Sequence, residues 1–229
     1  LFLLLGDHAG NLVPERLGNL GLPPAELARH IAWDIGVSAL GRSLAARLDA
    51  TFVEQRYSRL VVDCNRWPSA ADRMAAISDG TAVPGNAELD TGAVARRDAE
   101  IFAPYHAEIA RLLDERTLQG KAMVVVSLHS FTPVWQGMRR PWDIGVLHDR
   151  GESGFSLAVL RELQVTTEWH VGDNVPYKMD GTDFTVPHHC YRARRAYVEL
   201  EVNQARLAAP QAIEHASERI AAALRGVML

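Results

Sequence analysis

The clearest pattern in the chain is a set of short apolar runs that end abruptly in polar residues. Met123 to Leu128 is uncharged and rich in β-branched residues. It is too short for a helix and predicts a strand buried on both faces. His129, Ser130, Phe131 and Thr132 follow directly, and Pro133 stops the ladder. Leu1 to Leu5 predicts a first buried strand, running into the loop Gly6-Asp7-His8-Ala9-Gly10-Asn11. Further strands are predicted at Thr51–Val53, Arg59–Asp63, Ile144–Leu147, Trp169–Val171 and Ala196–Val202, with Thr182–Val186 extended. Helical spacing takes over from Ala25 to Leu48, through Leu27, Ile31, Ile35, Leu40, Leu44 and Leu48. Gly36 and Gly41 weaken that segment and predict a kink or a break. Thr91–Leu118, Ser153–Gln164 and Pro210–Met228 are the other helices, with a kink expected at Pro104. Asp72–Asp90 is a long connection of the kind that covers or carries a site.

At 229 residues, one large α/β domain spanning 1–229 is the expectation. The net charge of −4 gives no electrostatic support to a nucleic-acid or membrane-surface role. Any basic site must be a local arginine cluster, and Arg56, Arg59 and Arg66 crowd one such region. Cys64 and Cys190 do not make a disulfide framework, which suits a reduced, cytoplasmic setting. The opening apolar run is too short and lacks the basic flank for a signal peptide or a membrane span.

Ligands of open α/β sheets bind at the carboxyl ends of the strands. Two predicted strands deliver a histidine there, His8 and His129, and neutral imidazole is the commonest metal ligand. His30 and Asp34 lie four apart, a spacing that suits a metal or an ordinary helix-surface pair. The run His188-His189-Cys190 looks like metal chemistry, but adjacent ligands rarely converge on one tetrahedral ion, so a loop role is expected. His106 and Glu108 are expected to be structural. Glu199 and Glu201 share one face of the last strand by period two. A carboxylate in a buried strand is costly unless it is paired or used.

Taken in order, several motifs resemble the N-formylglutamate amidohydrolase family. They are Asp7-His8-Ala9-Gly10-Asn11-Leu12-Val13-Pro14, His30-Ile31-Ala32-Trp33-Asp34-Ile35-Gly36, and Tyr57-Ser58-Arg59-Leu60-Val61-Val62-Asp63-Cys64-Asn65-Arg66. His129-Ser130-Phe131-Thr132-Pro133-Val134, Arg140-Pro141-Trp142 and Val171-Gly172-Asp173-Asn174-Val175-Pro176-Tyr177 complete the set. The resemblance implies a three-layer fold like that of zinc carboxypeptidases, a mixed twisted sheet with helices on both faces. It implies one Zn²⁺ per chain, or another divalent ion, held by His8, Asp34 and His129, with His30 in reserve for Asp34. Glu201 looks like the general base; Asn65 and Arg66 resemble the pair that grips a substrate carboxylate. Arg59 or Arg140 would take a second carboxylate or the oxyanion, and Ser130 joins the substrate-binding set.

The activity implied is zinc-dependent hydrolysis of an N-acyl bond, releasing formate and glutamate if N-formyl-L-glutamate is the substrate. A metallo-amidase or peptidase on another small acidic substrate is the alternative, as is a catalytically weak protein that binds acidic metabolites. A monomer or homodimer fits either. The chain departs from the family at Asn203-Gln204-Ala205, at Asp143 and at Gly6. The first two departures are expected to alter the substrate pocket.

Overall fold

The computed structural model describes residues 1–228. Its centre is a six-stranded sheet made of β1 (Phe2–Gly6), β2 (Thr51–Glu54), β3 (Val124–Phe131), β4 (Ile144–Leu147), β5 (Val171–Asp173) and β6 (Ala196–Asn203). The spatial order is β2-β1-β3-β6-β4-β5. Neighbouring strands run parallel except where β4 pairs antiparallel with β6. The sheet is therefore mixed, and the carboxyl ends of β1, β3 and β6 lie together.

Helices cover both faces, because every strand at the centre alternates between two apolar layers. Phe2, Leu4, Val126, Leu128, Val198 and Leu200 pack on one side. That side is closed by α1 (Val37–Leu48) and by two helices late in the chain, Gly154–Thr166 and Pro210–Gly226. Leu3, Leu5, Val125 and Tyr197 face the other side, against Ile101, Tyr105, Ile109 and Leu113. These last residues belong to a long helical stretch, α2 (Thr91–Arg97), a π turn (Asp98–Phe102) and α3 (Ala103–Leu118). The wide turn lies just before Pro104, where a proline ring would crowd the carbonyl four residues back. The remaining helices are α4 (Gly154–Thr166) and α5 (Pro210–Gly226).

Four expectations change. The helix predicted over Ala25–Leu48 is a single turn, Pro24–Leu27, then irregular chain, then α1. Gly36 begins α1 at φ 87°, and a Cβ there would lie 2.6 Å from Leu207 Cβ, so the chain must turn at a glycine. His30 and Asp34 consequently do not share a helix face.

Arg59–Asp63 is not a strand but a buried turn. Side chains satisfy its backbone instead of a ladder: Asn86 Nδ2 donates to Leu60 O (2.8 Å), and Arg97 Nη1 donates to Val61 O (2.9 Å). Backbone bonds to Ala32 O and Arg73 O complete the pinning. In Thr182–Val186 only Asp183 makes an isolated bridge, to Arg66, before the chain enters a helical turn. The short strand expected at Trp169–Val171 lies slightly later, as β5.

Candidate metal centre

β1 ends at Gly6 and places Asp7 and His8 just beyond the sheet, both nearly inaccessible. His129 projects from β3 toward the layer that contains Leu3 and Leu5, and Asp34 comes from the irregular chain before α1. The two imidazole centroids are 5.1 Å apart. His129 Nδ1 is 2.9 Å and His8 Nδ1 is 3.4 Å from Asp34 Oδ2.

Each histidine is oriented by a second carboxylate behind it. His8 Nε2–H donates to Asp63 Oδ1 at 2.7 Å. Burial would raise the pKa of Asp63, but Arg59 and His8 beside it hold that carboxyl well below its usual range. It is therefore an acceptor, and His8 Nδ1 is the nitrogen left facing Asp34. That Nδ1 is buried and has no hydrogen-bond partner. On His129, Nε2 faces Ser127 Oγ (3.1 Å) and Asp7 Oδ2 (3.6 Å), which turns Nδ1 toward Asp34. Tyr105 donates to Asp7 Oδ1 and fixes it in turn. Burial alone would raise the pKa of Asp34, but the two histidines hold it low.

His8, Asp34 and His129 each offer an atom within 4.8 Å of the others, and among the described residues they are the one such cluster able to hold a metal ion. Ligands about 2 Å from a tetrahedral ion stand roughly 3.4 Å apart, close to the separations observed. An orphaned imidazole nitrogen, a charged carboxylate and carboxylate-backed histidines make a donor set that fits a divalent cation. His30 stands outside it, 3.2 Å from Asp79.

β6 runs beside β3 with Glu201 opposite His129 and Glu199 opposite Ser127. Both glutamates point to the histidine side of the sheet and line a cavity of about 850 Å³. Burial pushes Glu201 up to about 7, with His129 opposing and Asp34 adding to the shift. Glu199, deeper and 2% exposed, is raised further by burial. One oxygen of each has no partner.

The cavity brings together His8, Asp34, Arg59, Asn65, Arg66, His129, Ser130 and Glu201, but not Arg140. Arg59 is bound to Asp63 through Nε and Nη2 and lies 3.5 Å from Asp34. Arg66 reaches Asp72 (3.3 Å), Asp183 (3.7 Å) and Asn65 O. Asn65 Oδ1 accepts from the backbone of Phe184 and Thr185, leaving Nδ2 near Asp183. Ser130 Oγ donates to Ile35 O. The Arg140 guanidinium lies over the rings of Tyr177 (4.9 Å), Trp135 (5.4 Å) and Phe131 (5.8 Å). It donates to Tyr177 Oη at 3.0 Å.

The departures noted above lie outside the cavity. Asp143 accepts from Arg206 Nε, and Asn203 caps the turn that follows β6. They hold the ends of β4 and β6, and Gln204 Nε2 donates to Ser130 Oγ (3.3 Å), a residue that lines the cavity. Gly6 sits tightly, with Phe52 3.1 Å from a Cβ built there. His188-His189-Cys190 forms a π turn; His106 donates to Cys64 O through Nε2 and takes the His189 Nε2–H on Nδ1, so these rings support the Asp63–Arg66 turn. Asp7 and Asp63 lie inside two of the motifs quoted above but receive no role from the sequence, because a carboxylate in a loop carries no periodic signal.

The sequence model of the family described as N-formylglutamate amidohydrolase matches residues 1–208. A crystal structure of a gene product of Agrobacterium tumefaciens superposes with a TM-score of 0.95 at 33% identity, covering 99% of this chain and 90% of that one. The structure of N-formylglutamate amidohydrolase from Ralstonia eutropha superposes with a TM-score of 0.67 at 20% identity, covering 98% and 94%. A search of curated proteins gave no match.

Proposed function

This chain belongs to the N-formylglutamate amidohydrolase family, and from that membership we propose that it is a zinc-dependent hydrolase of N-formyl-L-glutamate or a close N-acyl amino acid. The observation that carries the reading is His8 Nδ1, buried and without a partner, facing Asp34 and His129 across from Glu201.

His8, Asp34 and His129 would hold the ion. When bound, such an ion polarises an amide carbonyl and brings the pKa of a coordinated water to roughly 7. Glu201 is assigned the general base, a reading supported by its place opposite His129 and its raised pKa. It takes a proton from the attacking water and delivers it to the leaving nitrogen. Arg66, through the edge of its guanidinium that its own carboxylates leave open, holds the substrate α-carboxylate, with Asn65 Nδ2 beside it. Arg59 keeps Asp63 ionised and thereby keeps His8 in the tautomer that ligation needs. Asp7 and Ser127 do the same for His129.

The test is formate release from N-formyl-L-glutamate by protein of measured metal content. About one zinc per chain, with activity lost on chelation and restored by zinc, is the expected result. A zinc-loaded protein that cleaves no N-acyl amino acid would leave only the binding-protein reading.

A further inference from the structure

The proposed substrate carries two carboxylates, and the structure leaves few cations to receive the second. Arg59 is committed to Asp63 and Asp34. Arg66 already has Asp72 and Asp183 beside it and is the assigned partner of the α-carboxylate. Arg140 does not line the cavity; it lies against the rings of Tyr177, Trp135 and Phe131 and donates to Tyr177 Oη. The wall also carries acidic groups that repel a further anion, Asp79 and Asp180 among them.

One lining cation remains. Lys178 faces the cavity, and it forms no salt bridge among the described residues. Of the 24 basic residues only Lys121 and Lys178 are lysines; the rest are arginines. A compact ammonium on a flexible stem suits a point contact with one carboxylate that moves with the substrate. Its backbone is anchored on both sides. Met179 is buried at 1% exposure, and the turn beyond it is closed by Asp180 N donating to Asp183 Oδ2 and Thr182 N donating to Asp180 Oδ1. On the other side Tyr177 is held by Arg140.

We propose that Lys178 is the specificity-determining residue for the side-chain carboxylate of the substrate, distinguishing an acidic N-acyl amino acid from its neutral amide. The inference rests on the hydrolase reading above. Lys178→Met keeps the length of the stem and removes the charge. KM for N-formyl-L-glutamate should rise roughly tenfold, the size of a single charge-assisted contact. KM for N-formyl-L-glutamine should stay within about twofold.

Calorimetric titration of L-glutamate and L-glutamine into the purified protein gives a second measure: the variant should lose the preference for glutamate. Wild-type protein that prefers glutamate, with the preference intact in Lys178→Met, overturns the role of Lys178 alone. Wild-type protein that hydrolyses formyl-glutamine as well as formyl-glutamate, and binds both amino acids equally, overturns this proposal but leaves the hydrolase reading standing. No hydrolysis of either substrate by zinc-loaded wild type removes the hydrolase reading, whatever Lys178 does to amino-acid binding.

Discussion

On the cavity floor, His8 and His129 are each backed by a second carboxylate and fixed by strand geometry, whereas at the mouth Ile77, Trp135, Tyr177 and Lys178 face solvent with few polar partners. Ile77 is 68% exposed, while Asp7 is 1% exposed. A buried polar atom without a partner costs about 1–3 kcal/mol, so burial forces every group on the floor to be matched or aimed at a ligand. Nothing forces such matching at the mouth, where water serves. The floor is therefore over-determined in this fold, whereas the mouth is lined by residues that can change without unfolding it.

The comparison can be broken at the floor first. Glu201→Gln removes the proton acceptor but keeps the shape. Turnover should fall by roughly 10²- to 10⁴-fold, with zinc content unchanged by elemental analysis. Retained turnover would exclude Glu201 as the base.

The next largest effect is expected on stability. Arg97 is buried and donates to Val61 O, Asn86 Oδ1 and Gly85 O. Arg97→Met strands these acceptors and should cost about 2–3 kcal/mol in urea unfolding. An unchanged midpoint would mean that water replaces the guanidinium.

Asp63→Asn tests the backing of His8. Zinc affinity should drop by roughly 10- to 100-fold, read by competition with a chelator, because the amide no longer selects the Nε2–H tautomer. An equal loss in a control at the mouth, Ile77→Ala, would show that the floor is not special.

The smallest effect is a pH dependence away from the metal centre. Burial lowers His106 to about 4 and His189 to about 3. Both are neutral when folded, and the unfolded chain binds more protons below about pH 6.5. Stability should thus be full above 6.5 and decline as the pH falls toward 4, by on the order of 1 kcal/mol per ring at pH 5.5. His106→Gln should flatten the slope of melting temperature against pH; an unaltered slope would assign the acid sensitivity elsewhere.

The same contrast explains what could be read from the chain. Leu1–Leu5, Met123–Leu128 and Ala196–Val202 announce themselves because central strands need unbroken apolar residues on both faces. Polar residues at the ends of such runs, or inside them as Glu201 is, stand out against that background. Leu60-Val61-Val62 gave the same signal for a different reason. It is buried as a turn whose carbonyls are served by Asn86 and Arg97, partners 26 and 36 residues away that no local pattern reveals. The break before α1 was foreshadowed by Gly36, but its cause, the approach of Leu207, is tertiary. Arg140 enters the sequence reading through the motif Arg140-Pro141-Trp142; the rings of Tyr177, Trp135 and Phe131 against which it lies are visible only in three dimensions.

The turn from Ser58 to Arg66 has one more implication. Its carbonyls are bonded by side chains of α2, α3 and the 83–86 segment instead of by neighbouring strands, so the opening of this turn, read by hydrogen–deuterium exchange of its amides, should follow those elements and not the sheet. A fluctuation that loosens α2 would then release Asp63 and Arg66 together, coupling the local opening of a distant helix to the geometry of the cavity.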